Sequence, residues 1–332
     1  MVTIREVAKA AGVSVATASR ALNGLTNVTP ATREKIEDAA ARLDYVPHSG
    51  ARSLTRQRTD TIGVILPDLF GEFFSEIIRG IDKVVYAAGK HLLLGNMHGR
   101  PDETVQAIRA MRGRVDGLLV MPPNSRADSI VGKGATGLPT VLLNARSSRG
   151  GPPYVTVDNY AGARLVTEHL IERGARRIAH IAGPASNRDA TERQRGFCDV
   201  MRERLGEHEP TILPGTFKED AGRAAAQHLL AENMPFDAVF AGNDMMAIDM
   251  MTELREAGIS IGQDLLVAGF DDIPLARYVS PQLTTAHSDI TRLGSIGARM
   301  VLRILDGEDL GDEGGLTIVP TLAIRASTAG RT

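Results

Sequence analysis

The chain has 332 residues, 43% of them hydrophobic and 23% charged, which is too long for one ordinary compact domain and rich enough in apolar residues to build a core. No apolar run approaches the roughly 18 residues of a membrane span, and Arg5, Glu6 and Lys9 stand where an export signal needs an apolar stretch, so neither a membrane nor an exported protein is expected. A single cysteine, Cys198, excludes an intrachain disulfide and a cysteine-based zinc site, and points to the cytoplasm. The net charge of −2 hides an asymmetry: residues 1–58 hold seven Arg and two Lys against five acidic residues, a net of +4, leaving −6 for the rest. A basic head on an acidic body is the charge pattern of a nucleic-acid-binding module joined to a partner domain.

Three short helices are expected in the first 45 residues. Thr3 with Glu6 three places on forms a capping box, after which Ile4, Val7, Ala8 and Ala11 share one face. Gly12 permits a tight turn, and Ser14 caps a second helix, Val15 to Leu22, whose exposed side is expected to carry Ala16, Ser19, Arg20 and Asn23. Thr29 and Pro30 open a third helix whose Ile36, Ala39, Ala40 and Leu43 would cover the first two. Two short helices joined by a glycine-containing turn, with a third as support, make a helix-turn-helix.

Such a module sets the N-terminal residues of its second helix against base edges in the major groove. Here those are Val15, Ala16 and, one turn on, Arg20. Arginine can give guanine two parallel hydrogen bonds, worth roughly 1–3 kcal/mol of discrimination, whereas Val15 and Ala16 offer apolar contact only. Thr3, Ser14, Thr17, Ser19, Asn23 and Thr32 suit phosphate oxygens that fix register, and each suits an ordinary cap or surface position equally. Pro47 ends the module, so residues 1–46 read as the DNA-binding domain and 47–59, polar and basic with Leu54 as its large apolar residue, as a hinge.

From Ile62 the texture changes. Strand-like runs recur at 62–66, 91–95, 116–121, 139–144, 154–158, 177–182, 237–242 and 265–270, with helical patterns at 73–88, 101–112, 159–173, 188–204, 220–231 and 243–257. The alternation predicts parallel sheets covered by helices, and residues 60–332 exceed what one such sheet needs. Two lobes with a ligand cleft at the C-terminal strand ends are therefore expected. Candidates there for lining the cleft are Phe73, Phe74, Arg193, Phe217, Asn243 and Asp271, with Asn187 and Asp189 as weaker ones. Phe73 and Phe74 fit a helix core equally well, and Asn243 fits the N-cap of the helix that follows it.

TIREVAKAAGVSVATASRALNG (3–24), VTPATREKIEDAAARLDYVP (28–47) and ARSL (51–54) resemble the head of the LacI/GalR family of bacterial regulators. The resemblance continues through DGLLVM (116–121), VDN (157–159), AGND (241–244), GFDD (269–272) and PQLTT (281–285). It implies an all-α helix-turn-helix head plus an α/β two-lobed core of periplasmic-binding-protein type. It also implies a homodimer on a near-palindromic double-stranded operator, repression controlled by a carbohydrate-like effector, and cleft roles for the candidates above. The lobes would comprise about 60–158 with 287–317, and 159–286 with 318–330. In this family the hinge folds on DNA and a leucine wedges into the minor groove; the matching residues are Leu54 and, before it, Ala51. Gly50 and His48 depart from the family's usual residues, which predicts a hinge that is unusually disordered when free.

No enzyme, cofactor or metal site is expected. GKGATG (132–137) has the spacing of a dinucleotide-binding turn yet runs into a strand instead of opening a helix, and no phosphate-loop, zinc-protease or nucleophile-elbow motif occurs. The end at Thr332, soon after the TIVPTLAIR run, leaves no room for a heptad tail and predicts a dimer over a tetramer.

Overall fold

Glu6 reaches back to the Thr3 amide at 2.7 Å and to its hydroxyl at 3.0 Å, and so starts helix α1, Ile4–Ala11. Gly12, at φ +67°, ends it in a left-handed turn. The Ser14 hydroxyl accepts from the Thr17 amide and opens α2, Val15–Leu22, and Pro30 opens α3, Pro30–Arg42. Val7, Ala18, Ile36 and Ala39 are fully buried where the three helices meet, with Ala8, Ala21 and Ala40 beside them and Ile4, Ala11 and Leu43 packed on the edge. The small alanines let short helices approach closely.

The computed structural model describes residues 2–23, 27–45, 58–98, 100–123, 137–232 and 235–330. The chain divides into two compact units, Met1–Asp60 with Gly113–Val115, and the remainder.

The second unit carries two six-stranded sheets. The first is built from β1 (Thr61–Leu66), β2 (His91–Asn96), β3 (Gly117–Val120), β4 (Thr140–Leu143), β5 (Tyr154–Val157) and β11 (Gly315–Ile318), in the order β11-β5-β4-β3-β1-β2 and parallel throughout. The second is built from β6 (Ile178–Ile181), β7 (Ile212–Leu213), β8 (Ala238–Ala241), β9 (Leu266–Asp271), β10 (Thr284–His287) and β12 (Thr321–Ala323), in the order β12-β10-β9-β8-β6-β7. Only β12 in it runs antiparallel, against β10. Strands β3, β6, β8 and β9 are buried along their whole length, as strands of a sheet covered on both faces must be, which is why they read as unbroken apolar runs.

Helices α4 (Glu72–Ala87), α5 (Pro101–Met111), α6 (Asn159–Glu172), α7 (Arg188–Leu205), α8 (Glu219–Ala231), α9 (Asp244–Glu256) and α10 (Ile290–Leu305) cover the sheets. Helix α10 packs on α4 and on β3, β4 and β5, whereas α6 packs on α7 and on β9 and β10. Among the described residues the chain therefore passes between lobes three times: after β5 into α6, after β10 into α10, and from β11 to β12.

Sequence periodicity missed α10, β7, β10, β11 and β12. Gly294 and Gly297 interrupt the α10 pattern, yet a Cβ at Gly294 would stand 2.3 Å from the Ile77 carbonyl oxygen, so glycine is what lets α10 lie against α4. Strand β10 reads as polar because its buried Thr284 and Thr285 spend their hydroxyls on internal hydrogen bonds, to the Arg325 carbonyl and to Asp244.

Candidate functional site

Burial of Ala18 and Ala21 fixes the rotation of α2 and leaves Val15, 42% exposed, with Ala16 and Arg20 on the open side. Ser14 and Thr17 share a hydroxyl contact of 2.8 Å at the helix start, and Thr32 is hydrogen-bonded to Thr29 at 2.8 Å at the start of α3. Thr3 and Ser14 are exposed, and Thr17, Ser19 and Thr32 are half-buried. Asn23 departs from its expected position on the exposed side. It closes α2 as the C-cap, is buried at 9% exposure, and gives its amide to the Ser19 hydroxyl at 3.3 Å. A capping residue turns back onto its own helix, and the helical pattern alone does not register that. Arg33, which the sequence did not single out, donates from Nη1 to the Ala21 carbonyl at 2.9 Å and so pins the end of α2 to α3. The hinge residues Ala51 and Leu54, together with His48 and Gly50, lie outside the described residues.

In the core, the C-terminal strand ends gather a polar cluster around Arg193, which projects from α7 and is 5% exposed. Its Nε donates to Asn159 Oδ1 at 2.8 Å, Nη1 to the Gly242 carbonyl at 2.5 Å, and Nη2 to Asp271 Oδ1 at 3.0 Å. The guanidinium stacks 3.7 Å from the Phe270 ring centre and lies 5.5 Å from that of Phe217. Phe217 in turn lies over Gly183, where a Cβ would meet its ring at 2.3 Å. Asp271 ends β9 at φ +112° and Asp272 follows at φ +58°, two consecutive left-handed residues that aim their carboxylates at different neighbours. Burial pushes the Asp271 carboxyl up to about 6, against the Arg193 charge and hydrogen bond that favour its ionised form.

Asp189, half-buried in the first turn of α7, accepts from Asn159 Nδ2 at 2.9 Å and from the amide of Asn144. Withdrawal from water pushes its carboxyl up to about 6 as well, against the pull of Arg193. Asn144 follows β4 of the first sheet, so this contact joins the two lobes; its own Oδ1 is buried without a partner among the described residues. Asn144, Asn159 and Phe270 belong to the cluster but were not singled out. They stand at the ends of the runs 139–144, 157–159 and 265–270, where the ends of parallel strands converge.

The remaining candidates sit otherwise. Asn243 caps α9, accepting from the Met246 amide at 3.0 Å while its own amide donates to the Phe217 carbonyl at 3.0 Å. Asn187 likewise caps α7, accepting from Ala190. Phe73 and Phe74, in the first turn of α4, meet edge to face with centres 5.3 Å apart and pack against the core. Asp244, fully buried, accepts from the Thr285 hydroxyl at 2.5 Å and the Ile273 amide at 2.9 Å; burial and the neighbouring Asp271 raise its pKa well above the carboxylate range.

Comparison with known proteins places both parts. Residues 3–48 match the model of bacterial regulatory proteins of the lacI family, and residues 167–328 that of a periplasmic binding protein-like domain. The HTH-type transcriptional regulator GalS of Salmonella typhimurium (strain LT2) is 35% identical over 339 residues, covering 100% of this chain and 98% of its own. The lac repressor dimer, solved bound to operator and the anti-inducer ONPF, superposes with a TM-score of 0.86 at 28% identity, covering 98% of this chain and 99% of its own. The regulator CelR in complex with cellobiose gives 0.70 at 30% identity, with 98% of this chain and 100% of its own covered. No helix among the described residues is long and apolar enough to cross a membrane. With a relative of this identity matching end to end, the chain belongs to the lacI family of bacterial regulatory proteins and is a DNA-binding transcriptional regulator with a helix-turn-helix head and a two-lobed, periplasmic-binding-protein-like core.

Proposed function

We propose that the protein is a homodimeric repressor whose hold on a near-palindromic operator is set by a carbohydrate-like effector bound at the Arg193–Asp271 cluster. In this reading α2 enters the major groove. Val15 and Ala16 make apolar base contacts, Arg20 reads a guanine, and Thr3, Ser14, Thr17, Ser19 and Thr32 hold phosphates. Asn23 and Arg33 set the end of the reading helix. Leu54 of the hinge, with Ala51 beside it, pries open a minor-groove step. The residues 1–46, 47–59 and 60–332 act as reader, hinge and sensor. Asp271, Asp189 and Arg193 serve the hydroxyls of the effector, and Phe217 with the Phe73–Phe74 pair its apolar face; Asn187 and Asn243 shape the loops around it.

One observation carries the reading: the cluster draws residues from both lobes, Asn144 from one and Asp189, Arg193 and Asp271 from the other, so a ligand seated there acts on how the lobes meet. A relative solved with cellobiose and another with operator and an anti-inducer support the choice of ligand class and of regulation. The test is a pair of substitutions read against both ligands. Arg20→Ala is expected to weaken operator binding about tenfold or more and relax preference at one base position, with effector binding intact. Asp271→Asn is expected to leave operator affinity unchanged and abolish the response to sugars in a thermal-shift and band-shift series. An Asp271→Asn protein that still responds removes the cluster from effector binding, and an Arg20→Ala protein with unaltered base preference removes α2 from base reading.

A further inference from the structure

Asp271 and Asp272 are neighbours in sequence, yet only the first belongs to the Arg193 cluster. Asp272, its side chain 3% exposed, accepts from His287 Nδ1 at 2.9 Å, from Arg325 Nη2 at 2.5 Å and from Arg277 Nη2 at 3.3 Å. It forms the floor of a cavity of about 270 Å³, many times what one water needs. Three elements wall this cavity: α4 with Glu76 and Arg79, the turn after β9 with Arg277 and Tyr278, and the passage from β10 into α10 with His287 and Thr291.

Its acids are already engaged. Asp272 faces three cations, Glu76 accepts from Arg79 and from the Thr291 hydroxyl at 2.8 Å, and Asp289 caps α10. Its cations are engaged only in part. One nitrogen of Arg277, one of Arg79 and one of His287 are engaged by these acids, and the other side-chain donors of the three have no acceptor among the described residues. Arg277 is 58% exposed and Arg79 67%, so both reach water at the cavity mouth. With Arg325 counted behind Asp272, three arginines and the His287 imidazole stand against the carboxylates of Asp272, Glu76 and Asp289.

We propose that this cavity is a second ligand site, separate from the Arg193 cluster, and that it takes a phosphate group, free or carried on a small metabolite. Two guanidinium groups with spare parallel N–H donors match a tetrahedral polyanion, which accepts on several oxygens at once. The imidazole adds a third donor. Its hydrogen bond to Asp272 raises its pKa, against burial and the Arg277 charge and with the further pull of Asp289, so the ring keeps its proton closer to neutral pH. Because one wall belongs to the first lobe, one to the second and one to the passage between them, the ligand is held whole only in the lobe arrangement that brings the three together.

The proposal does not depend on the effector reading, and titration calorimetry of the full-length protein with inorganic phosphate and with pyrophosphate at low ionic strength tests it alone. One saturable site per chain is expected, with pyrophosphate the tighter. Arg277→Gln and Arg79→Gln should each weaken it tenfold or more, while Arg277→Lys loses less. Arg255→Gln, an equal charge change at an exposed position near the end of α9, and Asp271→Asn should leave it unaltered. Absence of saturable heat overturns the site. Equal weakening by Arg255→Gln reduces it to general charge attraction, and loss with Asp271→Asn in place of Arg277→Gln moves the anion into the Arg193 cluster; either outcome also overturns it.

Discussion

At the scale of single residues, Arg193 holds the cluster together, and its removal is more costly than that of its partner. Arg193→Met would leave Asp271, Asn159 and the Gly242 carbonyl without their donor in a water-poor site, and a broken buried pair of this kind costs about 3–5 kcal/mol. Asp271→Asn keeps an oxygen for Arg193, whose charge still has Asp189 nearby, so a smaller loss is expected. Urea denaturation of the two variants checks the order. Asp272 shows the opposite balance. Burial pushes it up, but the hydrogen bonds from His287 and Arg325 prevail and hold it at about 2. A lowered carboxylate stabilises the fold above its unfolded value near 3.9 and loses that contribution as pH falls toward 2, about 2 kcal/mol for a shift of this size. Its raised partner His287 does the reverse, contributing fully below about 6.5 and losing the contribution as pH rises through its folded pKa. Asp272→Asn should therefore lower Tm most between about pH 4 and 6.5 and progressively less toward both edges, which flattens the plot of Tm against pH. Much of this cluster was legible as residue types at strand ends. The pairing of Asn144 with Asp189 was not, because it joins positions 45 residues apart on different lobes, and no local pattern records such a contact.

At the scale of elements, helix contacts rest on glycine. A Cβ on Gly80 would sit 2.0 Å from the Thr291 carbonyl oxygen, and one on Gly222 2.2 Å from that of Met246, so α4 meets α10 and α8 meets α9 backbone to backbone. Gly80→Ala must push α10 away from α4, and a cost of roughly 1–3 kcal/mol or more is expected, seen as a lower urea midpoint. Ordinary propensity predicts the opposite sign, a small gain for replacing glycine within a helix, so the result separates packing from propensity. This conflict explains why α10 was hidden: the glycines that weaken its helical signature are the residues that its packing requires. The head was easier to read, since caps at Thr3, Ser14 and Thr29–Pro30 punctuate helices whose buried faces are unambiguous. Only the ends misled, as Asn23 shows.

At the scale of the whole molecule, alternating strands and helices made a two-lobed parallel architecture legible, while the edge strands β7, β11 and β12 were too short, and in part too exposed, to announce themselves. Those last two strands decide how the core behaves as a body. Since β11 lies in the first sheet and β12, three residues on, in the second, neither lobe is an uninterrupted stretch of gene. A fragment ending after β10 would lack α10 and β11 from one sheet's structure and β12 from the other's, and should expose apolar surface on both. Melting one lobe drags threads out of its neighbour, so calorimetry of residues 60–332 within the full chain is expected to record a single shared transition with matching calorimetric and van't Hoff enthalpies. Two resolved core transitions would refute that. The same stitching pins the halves together at three crossings, so any relative motion of the lobes is expected to be a tilt about that seam.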